Sequence, residues 1–238
     1  MKKTALLAAL AVGASFAYAD AAKSSYSITV DFPYTSKYIF RGQEVTTGNA
    51  KGKGSDAIQP SIELTTGDFY AGVWTNQPVT KNNDNEFDIY GGYKQKLNDM
   101  VNVDAGATIY YYPELNASAK SDRATTEGFV GINANVKGIT AGVYGYYDFD
   151  LKNTTIQGQL GYSLPLPEKG LSLDLSTHVG RVFNNDNGDY TYWSFGANVP
   201  YKLNDSSTVY AGVTYTNNNL KFATGDFITY TVGLTVGF

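Results

Sequence analysis

From Ile228 to the end of the chain, apolar residues fall on every second position: Ile228, Tyr230, Val232, Leu234, Val236 and Phe238. Thr229, Thr231, Gly233, Thr235 and Gly237 lie between them. Period two places the two sets on opposite faces of one strand. A strand that is greasy on one face, small and polar on the other, and ends on an aromatic residue suits the closing strand of a membrane barrel, with lipid outside and water inside. The alternative at this segment is an edge strand of a soluble sandwich.

The same alternation recurs in about twelve segments, near residues 25–34, 56–66, 68–76, 86–95, 101–112, 126–137, 139–149, 154–164, 170–182, 190–202, 207–216 and 227–238. Each is close to the ~9–11 residues that a tilted strand needs to cross hydrocarbon. The connections Thr65–Asp68, Leu97–Met100, Lys137–Gly138, Pro165–Gly170 and Leu203–Ser206 are short and carry turn chemistry. Those at 35–55, 77–85, 113–125, 183–189 and 217–226 are mostly longer and polar, and only 150–153 breaks the trend. Short periplasmic turns and long external loops are the asymmetry of outer-membrane barrels. The prediction is an all-β fold, an antiparallel transmembrane β-barrel of twelve strands with both termini in the periplasm.

These directions let one parity be followed around the barrel. It presents Phe32, Tyr34, Phe87, Tyr111, Tyr147, Phe149, Trp193, Tyr215 and Ile228 near the outer ends, and Tyr26, Phe69, Tyr93, Tyr162, Tyr201 and Phe238 near the inner ends. Between them lie aliphatic or small residues such as Ile28, Val30, Ile62, Val73, Ile89, Val130, Ile132, Val143 and Leu160. Two aromatic belts around an aliphatic band fit a lipid-facing wall, because amphipathic rings prefer the headgroup level. The opposite parity carries the ionisable and amide groups, which cost ~2–4 kcal/mol for a basic residue at the lipid midplane and are therefore expected to point inward.

Composition adds exclusions. The mean hydropathy of −0.27 reads as soluble, but only alternate residues of a barrel face lipid. Lys2 and Lys3, the apolar run Ala5–Ala14 and the small residues Ala17 and Ala19 describe an export leader. Residues 1–19 are expected to be cleaved, leaving 20–238 as one domain. Removing Lys2 and Lys3 takes the formal charge from −4 to −6, against a nucleic-acid partner. The absence of cysteine leaves neither a disulfide framework nor a thiolate metal site. No cofactor motif or zinc spacing is present. The loops Asn82–Glu86 and Asn184–Asp189 have the composition of calcium loops but not their glycine placement, and read as Asx turns.

Asp31, Glu63, Asp88, Asp104, Asp148 and Asp174 fall on the inward parity, with Lys94 the clear base and His178 neutral. Acidic walls of low dielectric concentrate cations. The expected function is passive diffusion of small hydrophilic solutes or ions with a modest cation preference. The alternative is a hydrogen-bonded plug of the same carboxylates, Lys94 and tyrosines. In the first long loop, Lys37 and Arg41 are candidates for a constriction at the mouth, with Gly42 permitting the turn; equally, Arg41 pairs with a neighbouring acid in an exposed loop. Lys51 and Lys53 read as solvated.

The chain also resembles a known family. An aromatic–x–Phe-Arg-Gly element within Tyr34–Gln43, then Ile58–Leu64, Asp68–Asn76, Glu86–Tyr93 and Ile109–Pro113 follow the order and spacing of the TorF family of outer-membrane porins. The resemblance implies a porin in the bacterial outer membrane, embedded in lipid. The terminal strand likewise resembles the signal read by the barrel-assembly machinery, with Phe238 at its end. Two other classes remain: a non-conducting structural or adhesive barrel, and an outer-membrane lipid hydrolase. For the latter, Asp174, Ser176 and His178 share one strand face. Yet they point away from lipid, and acyl transfer needs an oriented His and an oxyanion site as well. No enzyme is expected; the oligomeric state is open.

Overall fold

The structure, a computed structural model, describes residues 26–45, 54–79, 84–114, 123–184, 188–220 and 225–238. The expected leader at 1–19, Lys51, Lys53 and parts of both Asn-rich loops lie outside the described residues. The strands in chain order are β1 Ser27–Thr35, β2 Ile39–Phe40, β3 Gln43–Glu44, β4 Ala57–Ile58, β5 Ser61–Thr66, β6 Phe69–Pro78, β7 Glu86–Lys96, β8 Val101–Tyr111, β9 Ala124–Val136, β10 Ile139–Asp148, β11 Thr154–Pro165, β12 Ser172–Phe183, β13 Tyr190–Lys202, β14 Ser207–Asn218 and β15 Gly225–Gly237.

Of these, β4 and β5 form a single stave, because both lie in one register against β1 and against β6. The ladder lapses between them at Gln59 and Pro60, where proline has no N–H to give. Every stave pairs antiparallel with its sequence neighbour, and β15 returns to β1 through Thr29↔Gly237 to Thr35↔Thr231. Ile28 and Phe238 complete the seam by exchanging both backbone hydrogen bonds, at 3.1 and 2.9 Å. The fold is a closed twelve-stranded antiparallel barrel, with β2 and β3 forming a separate hairpin. Closure leaves no sheet edge with unpaired backbone.

The register also fixes the width. Followed once around the barrel, the pairings return to β1 displaced by sixteen residues. With a rise of ~3.3 Å per residue and ~4.8 Å between strands, that stagger tilts the strands by about 43° and gives a backbone radius of about 12 Å. Inward side chains of ~6 Å reach leave the axis of such a barrel unfilled.

Polarity is inverted relative to a water-soluble domain. Large apolar side chains lie exposed on the outer parity, among them Phe69, Val130 and Tyr230 at 61, 62 and 61 %. The most buried side chains include Asp88 and Asp148 at 0 % and Glu86 and Glu127 at 2 %. So broad an apolar exterior requires an apolar surrounding. Both aromatic belts lie on the outer wall; Phe69 and Tyr93 touch at one end, and Trp193 and Tyr215 at the other.

The short connections cluster at one end with Tyr26 and Phe238. Lys137 and Gly138, at φ 52° and 83°, form a two-residue turn with positive φ at both positions, which matches the twist of the flanking strands. At the opposite end, the short link after β10 is explained by Asp148. Its Oδ1 accepts from the backbone N–H of Asp150 at 2.8 Å and of Leu151 at 2.6 Å, closing an Asx turn.

Candidate functional site

The space on the axis is taken, at the long-loop end, by the segment after β1. Residues 36–45 turn inward and form the β2–β3 hairpin across the interior. Tyr38, Phe40 and Val45 are buried against Tyr110 and Tyr112, with Trp74 and Leu151 packed beside them. Arg41, also buried, donates from both terminal nitrogens to Glu127 of β9, at 2.8 and 2.7 Å. Its guanidinium lies 4.8 Å from the Phe40 ring centroid and 4.6 Å from that of Tyr146. An ion pair this dry persists because it is bidentate and flanked by aromatic faces.

Two further contacts anchor the hairpin to other walls, and Ser55 ties it to the segment before β4. Asn218 Nδ2 of β14 donates to the Gly42 carbonyl at 2.6 Å, and Gln43 Nε2 donates to Tyr190 Oη of β13 at 2.6 Å. Ser55 Oγ donates to Glu44 at 2.8 Å while receiving the Tyr38 N–H at 3.0 Å. Gly42 has φ 83° and sits so close to the wall that a Cβ would lie 2.5 Å from Tyr192 Cβ. Only glycine meets both demands. The Arg41-Gly42 pair is therefore a wedge, with Arg41 itself at φ 42°. Lys37 remains at the rim, 3.7 Å from Glu44.

Beneath and beside the hairpin, the wall is acidic. Tyr112 Oη donates to Glu86 at 3.0 Å and Tyr110 Oη to Glu127 at 3.1 Å, while Asp88 lies next to Glu86 on the same face of β7. Asp148 faces inward from the end of β10, opposite Glu127.

Toward the short-turn end a repeated arrangement lines the wall. An inward tyrosine sits directly opposite an inward glycine on the next strand, folds flat over it, and reaches a polar group one strand further. Tyr90 covers Gly72 and donates to Glu63 at 3.1 Å. Tyr210 covers Gly233 and donates to Asp31 at 2.9 Å, which Thr235 also reaches at 2.7 Å. Tyr70 over Gly92 and Tyr144 over Gly131 converge on Asp104 from two sides, at 2.9 and 3.1 Å. The same arrangement recurs once at the long-loop end, beside the hairpin, where Tyr192 over Gly180 meets Gln157 at 2.5 Å. Laid against the glycines, the rings of Tyr70, Tyr90, Tyr144 and Tyr210 lie along the wall while their hydroxyls satisfy the carboxylates.

The remaining candidates are dispersed. Lys94 Nζ is 3.8 Å from Asp104 and 5.9 Å from the Tyr70 ring centroid. Asp174 accepts from Ser163 at 2.6 Å and Ser172 at 3.0 Å, whereas His178 Nδ1 meets Ser194 Oγ at 3.3 Å. Asp174, Ser176 and His178 thus form no proton relay despite sharing a face. Among the described residues no group of three or more His, Asp or Glu side chains is arranged to hold a metal ion.

Sequence reasoning did not single out Glu86 and Glu127. Both lie at the strand ends that border long loops, where a charged residue reads as solvated. Their inward parity was the available signal.

Comparison with known proteins agrees with the geometry. A search of the curated proteins finds no match. Among solved structures, the KdgM porin superposes with a TM-score of 0.60 at 12 % identity, covering 88 % of this chain and 99 % of that one. The translocator domain of the autotransporter NalP from Neisseria meningitidis gives 0.53 at 14 % identity, covering 92 % and 90 %. A bacterial polysaccharide outer membrane secretin gives 0.54 at 8 % identity, covering 90 % and 98 %. At these identities the likeness is one of fold, and it is to outer-membrane barrels. The model of the Gcw_chp family, bacterial proteins of unknown function, matches residues 19–233, and the chain belongs to that family.

Proposed function

We propose that the protein is an outer-membrane channel for passive diffusion of small hydrophilic solutes or ions, with a cation preference and a constriction formed by residues 36–45. The carrying observation is the closed barrel with apolar residues outside and carboxylates inside. Its likeness to the KdgM porin and the TorF-like order of its motifs support the same reading. In this reading the short-turn end faces the periplasm, the hairpin narrows the extracellular half, and Phe238 ends the strand offered to the assembly machinery.

The cation preference rests on charge balance. Asp31, Glu63, Glu86, Asp88, Asp104, Glu127, Asp148 and Asp174 face inward, against Arg41 and Lys94 in the body of the barrel. Lys96 and Lys202, at the short-turn rim, pair with Asp99 and Asp205. A low-dielectric wall focuses the remaining negative field on the lumen. A second reading, a non-conducting barrel that presents its loops, is favoured by the dry Arg41–Glu127 pair, which holds the hairpin across the interior.

Planar-bilayer recording across a salt gradient separates the two. A reversal potential favouring cations supports the channel, one favouring anions refutes the selectivity, and no current supports the non-conducting barrel.

A further inference from the structure

We infer that the short-turn half of the lumen binds organic ammonium groups, on subsites each made of a flat tyrosine face and a carboxylate at its edge. The inference names the solute class for the cation-preferring channel proposed above and rests on that reading. The subsites are Tyr90 with Glu63, Tyr210 with Asp31, and Tyr70 with Asp104.

Three observations carry this beyond a general acidity. Each ring has one face against a glycine of the adjacent strand, so that its other face is turned to the lumen. Each hydroxyl is spent on its carboxylate, which leaves lone pairs on that carboxylate for a second donor. And the protein fills one subsite itself: the primary ammonium of Lys94 lies 5.9 Å from the Tyr70 ring centroid and 3.8 Å from Asp104.

The chemistry selects for alkylammonium over a small hydrated metal ion. A ring face attracts a cation through its quadrupole, most strongly one that sheds water readily, and the alkyl part of an amine also covers the ring. Neutral sugars use the face but not the charge. Anions are repelled by the carboxylates.

The test is calorimetric titration of spermidine into the full chain refolded in detergent micelles at low salt, with maltotriose as the neutral control. Spermidine is expected to bind. Tyr90→Leu and Tyr210→Leu keep every charge and remove a ring face, so together they should weaken binding about fivefold or more, whereas Tyr90→Phe with Tyr210→Phe should retain it. Lys94→Met vacates the third subsite and should tighten binding, and adding Tyr70→Leu should reverse that gain. The inference is overturned by absent spermidine binding, by equal affinity in the Leu and Phe variants, or by tighter binding of maltotriose. Reversal potentials measured without amine report on the channel separately: a cation-preferring pore with no spermidine heat sinks only the inference, and anion preference sinks the channel reading.

Discussion

Arg41 and Glu127, eighty-six positions apart in sequence, meet inside the barrel with both side chains 3 % exposed. The pair fixes the hairpin in the lumen, and its loss leaves a buried charge unpaired. Removing one partner of such a pair costs about 3–5 kcal/mol. Glu127→Ala is therefore expected to release the hairpin and to expose Lys37 and Arg41 to trypsin. Limited proteolysis should show cleavage there at least about a hundredfold faster than in the wild type, because cutting follows the open population. Replacing both partners, Arg41→Met with Glu127→Leu, should restore much of the protection at Lys37, the trypsin site that the double variant keeps.

Gly42 supplies a second handle on the same element. Gly42→Ala places a Cβ 2.5 Å from Tyr192 Cβ and retains φ 83°. The expected cost is about 1–3 kcal/mol, read as faster trypsin cleavage at Arg41. Gly188→Ala is the control: it has φ 80° but nothing within 4 Å. Its backbone strain lies in a different loop and should leave cleavage at Arg41 unchanged.

The flat tyrosines make a prediction about the wall. Gly72→Ala collides with Tyr90, whose hydroxyl and ring would stand 2.5 Å from the new Cβ. Gly145→Ala meets nothing within 4 Å. The first should lower the temperature at which the barrel unfolds on heat-shift electrophoresis, by the equivalent of about 1–3 kcal/mol, and the second should leave it unchanged or slightly raised.

The inverted polarity is tested by the same substitution on two faces. Val130, mid-strand and 62 % exposed, lies on the outer wall. Val130→Arg should cost about 2–4 kcal/mol in urea unfolding from lipid vesicles. Ser176→Arg, on the inward face of β12 where the side chain is exposed to the interior, should cost far less. Similar losses at both sites would contradict the assignment of faces.

How much of this was legible follows from the range of the signals. Period-two alternation is local, so the outward parity of Phe32, Ile89, Val130 and Trp193 could be followed from turn to turn without knowing any pairing. The Arg41-Gly42 dipeptide marked the loop as able to bend sharply, but two destinations fitted it equally. In the structure Arg41 meets Glu127, a residue of another loop-bordering strand end, and no spacing in the chain links the two. Tyrosine over glycine is illegible for a related reason. Tyr90 faces Gly72 only once the lengths of every hairpin and the register they set are fixed. Alternation gave the face, and register chose the partner.

The claim on which this account depends most is that residues 36–45 sit inside a conducting lumen and restrict it. Single-channel conductance of the wild type and of Glu127→Ala in planar bilayers tests it directly. Release of the hairpin predicts a larger unit conductance in the variant, with the cation preference retained. Equal conductance in two folded proteins, or a smaller one in the variant, would contradict it.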